Sequence, residues 1–194
     1  MTDRRAVTIA GHTGDVDVAR SGLDDDDPAV RAAALGALER LGELGDDTLA
    51  AALGDPDLAV RRRAVELAAH HPDVDLVAAL ADPDPRVVEV AAWACGEHES
   101  DRDEVVDALI DLAANADDAL VRESAVAALG AIGDLRAVDV IVAACADKPA
   151  VRRRAVLALA PFDGPEVDAA IEQALVDRDW QVRQAAEDLR RAQS

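Results

Sequence analysis

The chain has 194 residues and carries 40 Asp and Glu against 20 Lys and Arg, a formal net charge of -20. A field of that sign repels polyanions, so nucleic acid and anionic membrane surfaces are excluded as expected partners. With two Trp, one Phe and no Tyr, the core must be built from Ala, Val and Leu in closely approaching elements, and the composition favours helix.

The chain opens on "MTDRRAVTIA", whose apolar run is too short for a secretory leader, and no stretch approaches the ~20 apolar residues that cross a bilayer. Cys95 and Cys145 are too few for a disulfide framework. A monomeric cytoplasmic protein is expected.

From Arg4 the chain is repetitive. "RRAVTIAGHTGDV" at 4–16 aligns with "RRAVELAAHHPDV" at 62–74, so the first element reads as the second helix of an incomplete unit. Further on, Val30, Val60, Val87, Val121, Val151 and Val182 stand in one column, with steps of 30, 27, 34, 30 and 31 residues. Four positions later Ala recurs every time, at Ala34, Ala64, Ala91, Ala125, Ala155 and Ala186. Columns 0, 4, 7, 8 and 11 form one stripe of a helix turning about 100° per residue; columns 2, 6, 9 and 10 are expected to point away from it.

An Asp/Pro-rich corner precedes each of these helices, as in "DDDDPAV", "DPDLAV", "DPDPRV" and "DRDWQV". Asp caps a helix start and Pro is tolerated in its first turn. Before each corner lies a shorter apolar segment, such as "DDTLAAAL" or "EVDAAIEQAL". The organisation expected is one domain over 1–194: a half-repeat at 1–13, then six helix–corner–helix repeats at about 14–42, 43–71, 72–99, 100–132, 133–162 and 163–194.

The words "DPAVRAAALGAL", "DPDLAVRRRAVELA", "DDALVRESAVAALG" and "DKPAVRRRAVLALA" resemble HEAT repeats of the short type called PBS-lyase HEAT-like. The resemblance covers nearly the whole chain. It implies an all-α, right-handed α-solenoid of helical hairpins whose second helices line a concave face. It also implies that the corner Asp pairs with the Arg after Val, here Arg31, Arg61, Arg122, Arg152 and Arg183, in a structural ladder. The third unit has Val88 at that place, so the ladder is expected to be interrupted there.

On the exposed ridge, column 6 holds Glu66, Trp93 and Leu157, and column 2 holds Arg62, Glu89, Glu123 and Arg153. These seven residues are the candidate partner-binding face. An outward Trp in a chain with almost no aromatics suits an interface anchor; the alternative is that Trp93 fills space left by small neighbours. Arg62 and Glu66 have the spacing of a helical ion pair. Trp180, in the last corner, is expected to cover the open end of the array.

No site for chemistry emerges. His71 and His98 share column 11, and "HHPD" with "GEHESD", including Asp101, suggests a metal site only if side chains reach across helices ~8–10 Å apart. HEAT-like deoxyhypusine oxygenases use several His-Glu pairs, and only His98-Glu99 occurs here. No metal, cofactor or catalytic residue is assigned. The function expected is a non-enzymatic protein-binding scaffold whose acidic rim selects a partner with basic segments. The alternative is a lyase-like or chaperone-like protein that handles a small molecule or chromophore in the concave groove.

Overall fold

The computed structural model describes residues 3–99 and 102–192. Among them α1, Arg4–Thr13, stands alone and six helix pairs follow. They are α2 Val16–Ser21 with α3 Pro28–Leu41, α4 Asp46–Leu53 with α5 Leu58–Ala68, and α6 Val77–Leu80 with α7 Pro85–Glu97. Next come α8 Asp103–Asn115 with α9 Ala119–Ile132, α10 Val138–Ala144 with α11 Pro149–Ala158, and α12 Pro165–Ala174 with α13 Trp180–Ala192. A 3-10 turn at Leu135–Ala137 leads into α10. The described residues contain no β-strand.

The chain forms two compact units, Met1–Ala94 and Cys95–Ser194. In the first, the successive second helices α1, α3 and α5 pack side by side; in the second, α9, α11 and α13 do the same. The stripe read from the sequence is the buried one: Val30, Val60, Val121 and Val151 are at most 3% exposed, and Ala34, Ala64, Ala125 and Ala155 are fully buried.

Column 9 departs from the outward direction expected of it at its glycines, while Ala160 is exposed as expected. Gly11 and Gly96 are buried there because they press on the next second helix. A Cβ on Gly11 would lie 2.8 Å from Ala37 Cα, one on Gly96 2.9 Å from Ala128 Cα, and one on Gly130 2.6 Å from Ala158 Cα. Real Cβ atoms do not approach so closely, and the bare glycine is what admits the contact.

Three corners divide their work between two aspartates, Asp55 with Asp57, Asp82 with Asp84 and Asp177 with Asp179, while in the fifth Lys148 stands at the N-cap without a side-chain cap. The second Asp caps the helix: Asp57 accepts the Ala59 N–H at 2.8 Å and Asp179 that of Gln181 at 2.8 Å, as Asp118 accepts that of Leu120 at 2.8 Å in the fourth corner. The first Asp takes the ladder arginine of the preceding repeat. Arg31 donates to both oxygens of Asp55 at 2.8 and 2.7 Å, and Arg61 to both of Asp82 at 2.7 and 3.1 Å. Arg122 reaches Asp147 at 2.6 and 2.9 Å, and Arg152 reaches Asp177 at 2.9 and 2.8 Å. Each of these guanidiniums turns its third nitrogen back to carbonyls of its own corner, as Arg122 does to Ala116 at 2.6 Å. Such fork-on-carboxylate pairs are strong and directional. The hydrogen bonds from Arg31, Arg122 and Arg152 hold the carboxyls of Asp55, Asp147 and Asp177 below the ordinary range.

Val88 breaks the arginine column as expected, and it is buried. The fourth corner has Ala116 five residues before Val121, where Asp55, Asp82 and Asp177 stand in theirs. Arg183 donates to the Asp177 carbonyl at 2.6 Å. Trp180, expected to cover the open end of the array, is 65% exposed. It begins α13 ahead of the buried stripe Val182, Ala186 and Leu189, and points off that stripe.

Candidate interaction surface

The three arginines of VRRRAV have three different fates. The first, Arg61 or Arg152, is the ladder residue. The second, Arg62, is half-exposed and lies 3.4 Å from Glu66 on its own helix. The third reaches back to the preceding second helix. Arg63 lies across Gly36 of α3, where a Cβ would come within 2.8 Å of its Nη2, and Arg154 stands 3.7 Å from Glu123 of α9. Glu66 receives Arg63 as well, at 3.2 Å.

The seven ridge residues divide between the two compact units. Arg62, Glu66, Glu89 and Trp93 belong to the first; Glu123, Arg153 and Leu157 belong to the second. Trp93 leaves 42% of its surface in solvent and Leu157 41%, each on a helix whose neighbouring apolar residues are buried. Glu89 lies one helical turn before Trp93 on α7, at the i, i+4 spacing that puts two side chains on one face. Glu89, Glu123 and Arg153 are half-buried.

A groove of about 440 Å3 runs over α1, α3 and α5. Its floor is small: Ala29, Ala32, Ala33 and Gly36, with Ala59 beside them. Its walls carry Arg4, Arg40, Arg62 and Arg63, and Glu66 is the one carboxylate lining it. The acidic character expected of the ridge therefore fails here, because arginines from columns 2, 3 and 10 of three helices converge on one place. Sequence reasoning named only Arg62 and Glu66 of this set. Columns lie along one helix, whereas the groove is made across three.

His71 is held by two carboxylates. His71, just past α5, lies 3.1 Å from Glu39 through Nε2 and 2.9 Å from Asp46 through Nδ1. Burial opposes its protonation, but hydrogen bonds to Glu39 and Asp46 outweigh that and raise its pKa above the usual value. Among the described residues no group of three or more His, Cys, Asp or Glu is placed to hold a metal ion; Asp101 lies outside the described residues. No helix among them is long and apolar enough to cross a membrane.

The model of the HEAT repeats family matches three overlapping stretches, residues 46–130, 74–149 and 118–190. The chain belongs to the HEAT repeat family. Solved structures agree on the HEAT-like fold. The E. coli protein YibA is 19% identical, with 96% of this chain and 74% of that one covered at a TM-score of 0.73. The complex of CpcE and CpcF of phycocyanin lyase from Nostoc is 22% identical, with 88% and 74% covered at 0.66. A designed armadillo repeat protein in complex with the peptide (KR)4 is 16% identical, with 98% and 87% covered at 0.52. No curated protein matches the sequence. The fold class is thus the all-α solenoid of HEAT-like helical hairpins, and identities at this level speak for the fold alone.

Proposed function

We propose that the chain is a non-enzymatic binding scaffold that holds a protein partner on the ridge of its second helices. The observation that carries this reading is Trp93, an indole 42% exposed in a chain with three aromatic residues, standing one turn from Glu89. Trp is among the commonest interface anchors. An indole face beside a carboxylate suits an arginine or lysine side chain, which stacks on the ring while its charge meets the acid. The net charge of -20 speeds encounter with a basic segment and makes the interaction salt-sensitive. A designed armadillo repeat protein of similar fold has been solved in complex with the basic peptide (KR)4, which is in keeping with such a segment as partner. In the second unit, Leu157, Glu123 and Arg153 are the proposed contacts. We place this protein in the cytoplasm as a monomer.

A fluorescein-labelled (Lys-Arg)4 peptide titrated against the whole chain tests the reading. Binding should weaken at least tenfold when Trp93→Ala is combined with Glu89→Lys, and again between 0.05 and 0.5 M salt. Unchanged binding by the double variant overturns this face. The structural likeness to the phycocyanin lyase complex favours a second reading, a chromophore or small molecule handled on the same ridge. A pigment retained through purification and lost with Trp93→Ala would replace the first reading with the second.

A further inference from the structure

We propose that the groove over α1, α3 and α5 is a second docking site, built for an acidic peptide segment. The chain has twice as many acids as bases, yet at this place four guanidiniums face one carboxylate. Arg62 and Arg63 share Glu66, at 3.4 and 3.2 Å. Arg4 and Arg40 make no ion pair with any described residue and line the groove together, Arg4 from the start of α1 and Arg40 from the end of α3. With Arg40 Nη2 against Gly11 and Arg63 Nη2 against Gly36, two of the four are laid over glycines that leave room for them. Arg4 and Arg40 thus leave their forks unpaired beside a bed of small side chains.

The dimensions and the charge choose the occupant. Neighbouring helices lie ~8–10 Å apart, so a path from α1 to α5 is about 20 Å, the reach of about six extended residues at ~3.4 Å each. Ala32, Ala33 and Gly36 let a backbone lie close, while Asp or Glu side chains meet the arginines in the two-pronged geometry that guanidinium favours. A nucleic acid offers anions too, but its continuous charge extends beyond the groove into the field of the other acids. A short acidic stretch does not. The groove shares Arg62 and Glu66 with the ridge but holds neither Trp93 nor Glu89, so the Trp93→Ala variant separates its failure from that of the scaffold reading.

The test is fluorescence anisotropy of a labelled acidic octapeptide of alternating Glu and Ser against the full chain at 50 mM salt. The variants are Arg4→Gln with Arg40→Gln, a control pair Arg20→Gln with Arg86→Gln that changes the charge equally, and Trp93→Ala. The groove pair should lose at least tenfold in affinity, while the control pair and Trp93→Ala stay within twofold of wild type. Arg4 and Arg40 hold no ion pair, so the groove pair should unfold at the wild-type temperature; the single Arg40→Gln variant, losing at least threefold, serves as a second check. Equal losses in both pairs would reduce the effect to diffuse charge and overturn the site. So would the absence of binding by wild type, or tighter binding of a single-stranded oligonucleotide of the same charge.

Discussion

Arg152 grips Asp177 with two nitrogens at 2.9 and 2.8 Å, and among the described residues it is the one charged residue that is buried, 5% exposed. Its third nitrogen is satisfied by the Asp147 carbonyl at 2.8 Å. Every donor direction of the fork that faces protein therefore has an acceptor. Removing one partner of such a pair leaves an uncompensated charge in a dry place.

Asp177→Ala should therefore destabilise the chain by about 3 kcal/mol, toward the lower end of what breaking a buried ion pair costs. Asp84→Ala, whose partner Arg86 is largely exposed, should have a much smaller effect beyond its lost cap. Urea unfolding of both variants at pH 7 checks the order.

The ladder also sets an acid limit. Asp55 and Asp147 have carboxyls held below their unfolded value by Arg31 and Arg122. A lowered folded pKa contributes stability above the unfolded value of about 3.9 that is lost as pH falls through the folded one. The unfolding temperature should drop steeply below about pH 4, and less steeply in a variant carrying Arg122→Met with Asp147→Leu.

His71 gives the opposite slope. Its raised pKa means that the stability contributed by Glu39 and Asp46 is fully present below the unfolded value of about 6.5 and is lost as pH rises through the higher folded value. His71→Gln should flatten the decline in stability above that pH. An NMR titration of the His71 ring with a midpoint at or below 6.5 would refute the linkage.

Glycine at column 9 should tolerate nothing larger. Gly130→Ala puts a methyl 2.6 Å from both Ala158 Cα and Cβ. Overpacking of about 1–3 kcal/mol outweighs the gain of at most ~1 kcal/mol in helix propensity. Gly54→Ala, whose nearest neighbour is a carbonyl at 3.6 Å, should shift stability by less than about 0.5 kcal/mol. Thermal unfolding of the two variants side by side decides.

Cys145 should be unreactive. Burial pushes its thiol up to about 11, so on the order of one molecule in a thousand carries the thiolate at pH 8. A disulfide-exchange reagent should label it far more slowly in the native chain than in urea.

The sequence discloses what lies along a helix and conceals what lies between helices. Val60, Ala64 and Leu67 announce the buried stripe through their spacing, whereas the pairing of corner Asp with Arg was expected only from the resemblance to HEAT repeats. That Asp55 belongs to the ladder and Asp57 to the cap follows from geometry in the corner, although the D-P-D word was the available signal. The inward place of Gly11, Gly96 and Gly130 was misread because a missing side chain says nothing about direction. The cationic groove escaped for a related reason. Arg4, Arg40 and Arg63 occupy different columns, and only the stacking of α1, α3 and α5 makes them neighbours.

The ladder has a consequence for how such a chain grows. Each arginine takes its carboxylate from the repeat after it and its carbonyls from its own corner. A duplicated repeat therefore brings one donor for the copy that follows and one acceptor for the copy that precedes. Insertion by tandem duplication orphans no charge, whereas the loss of a single residue does, and the paired absence at Val88 and Ala116 is the form in which a lineage can discard a rung at little cost. The grammar of the corner thus permits lengthening by whole units and penalises piecemeal decay.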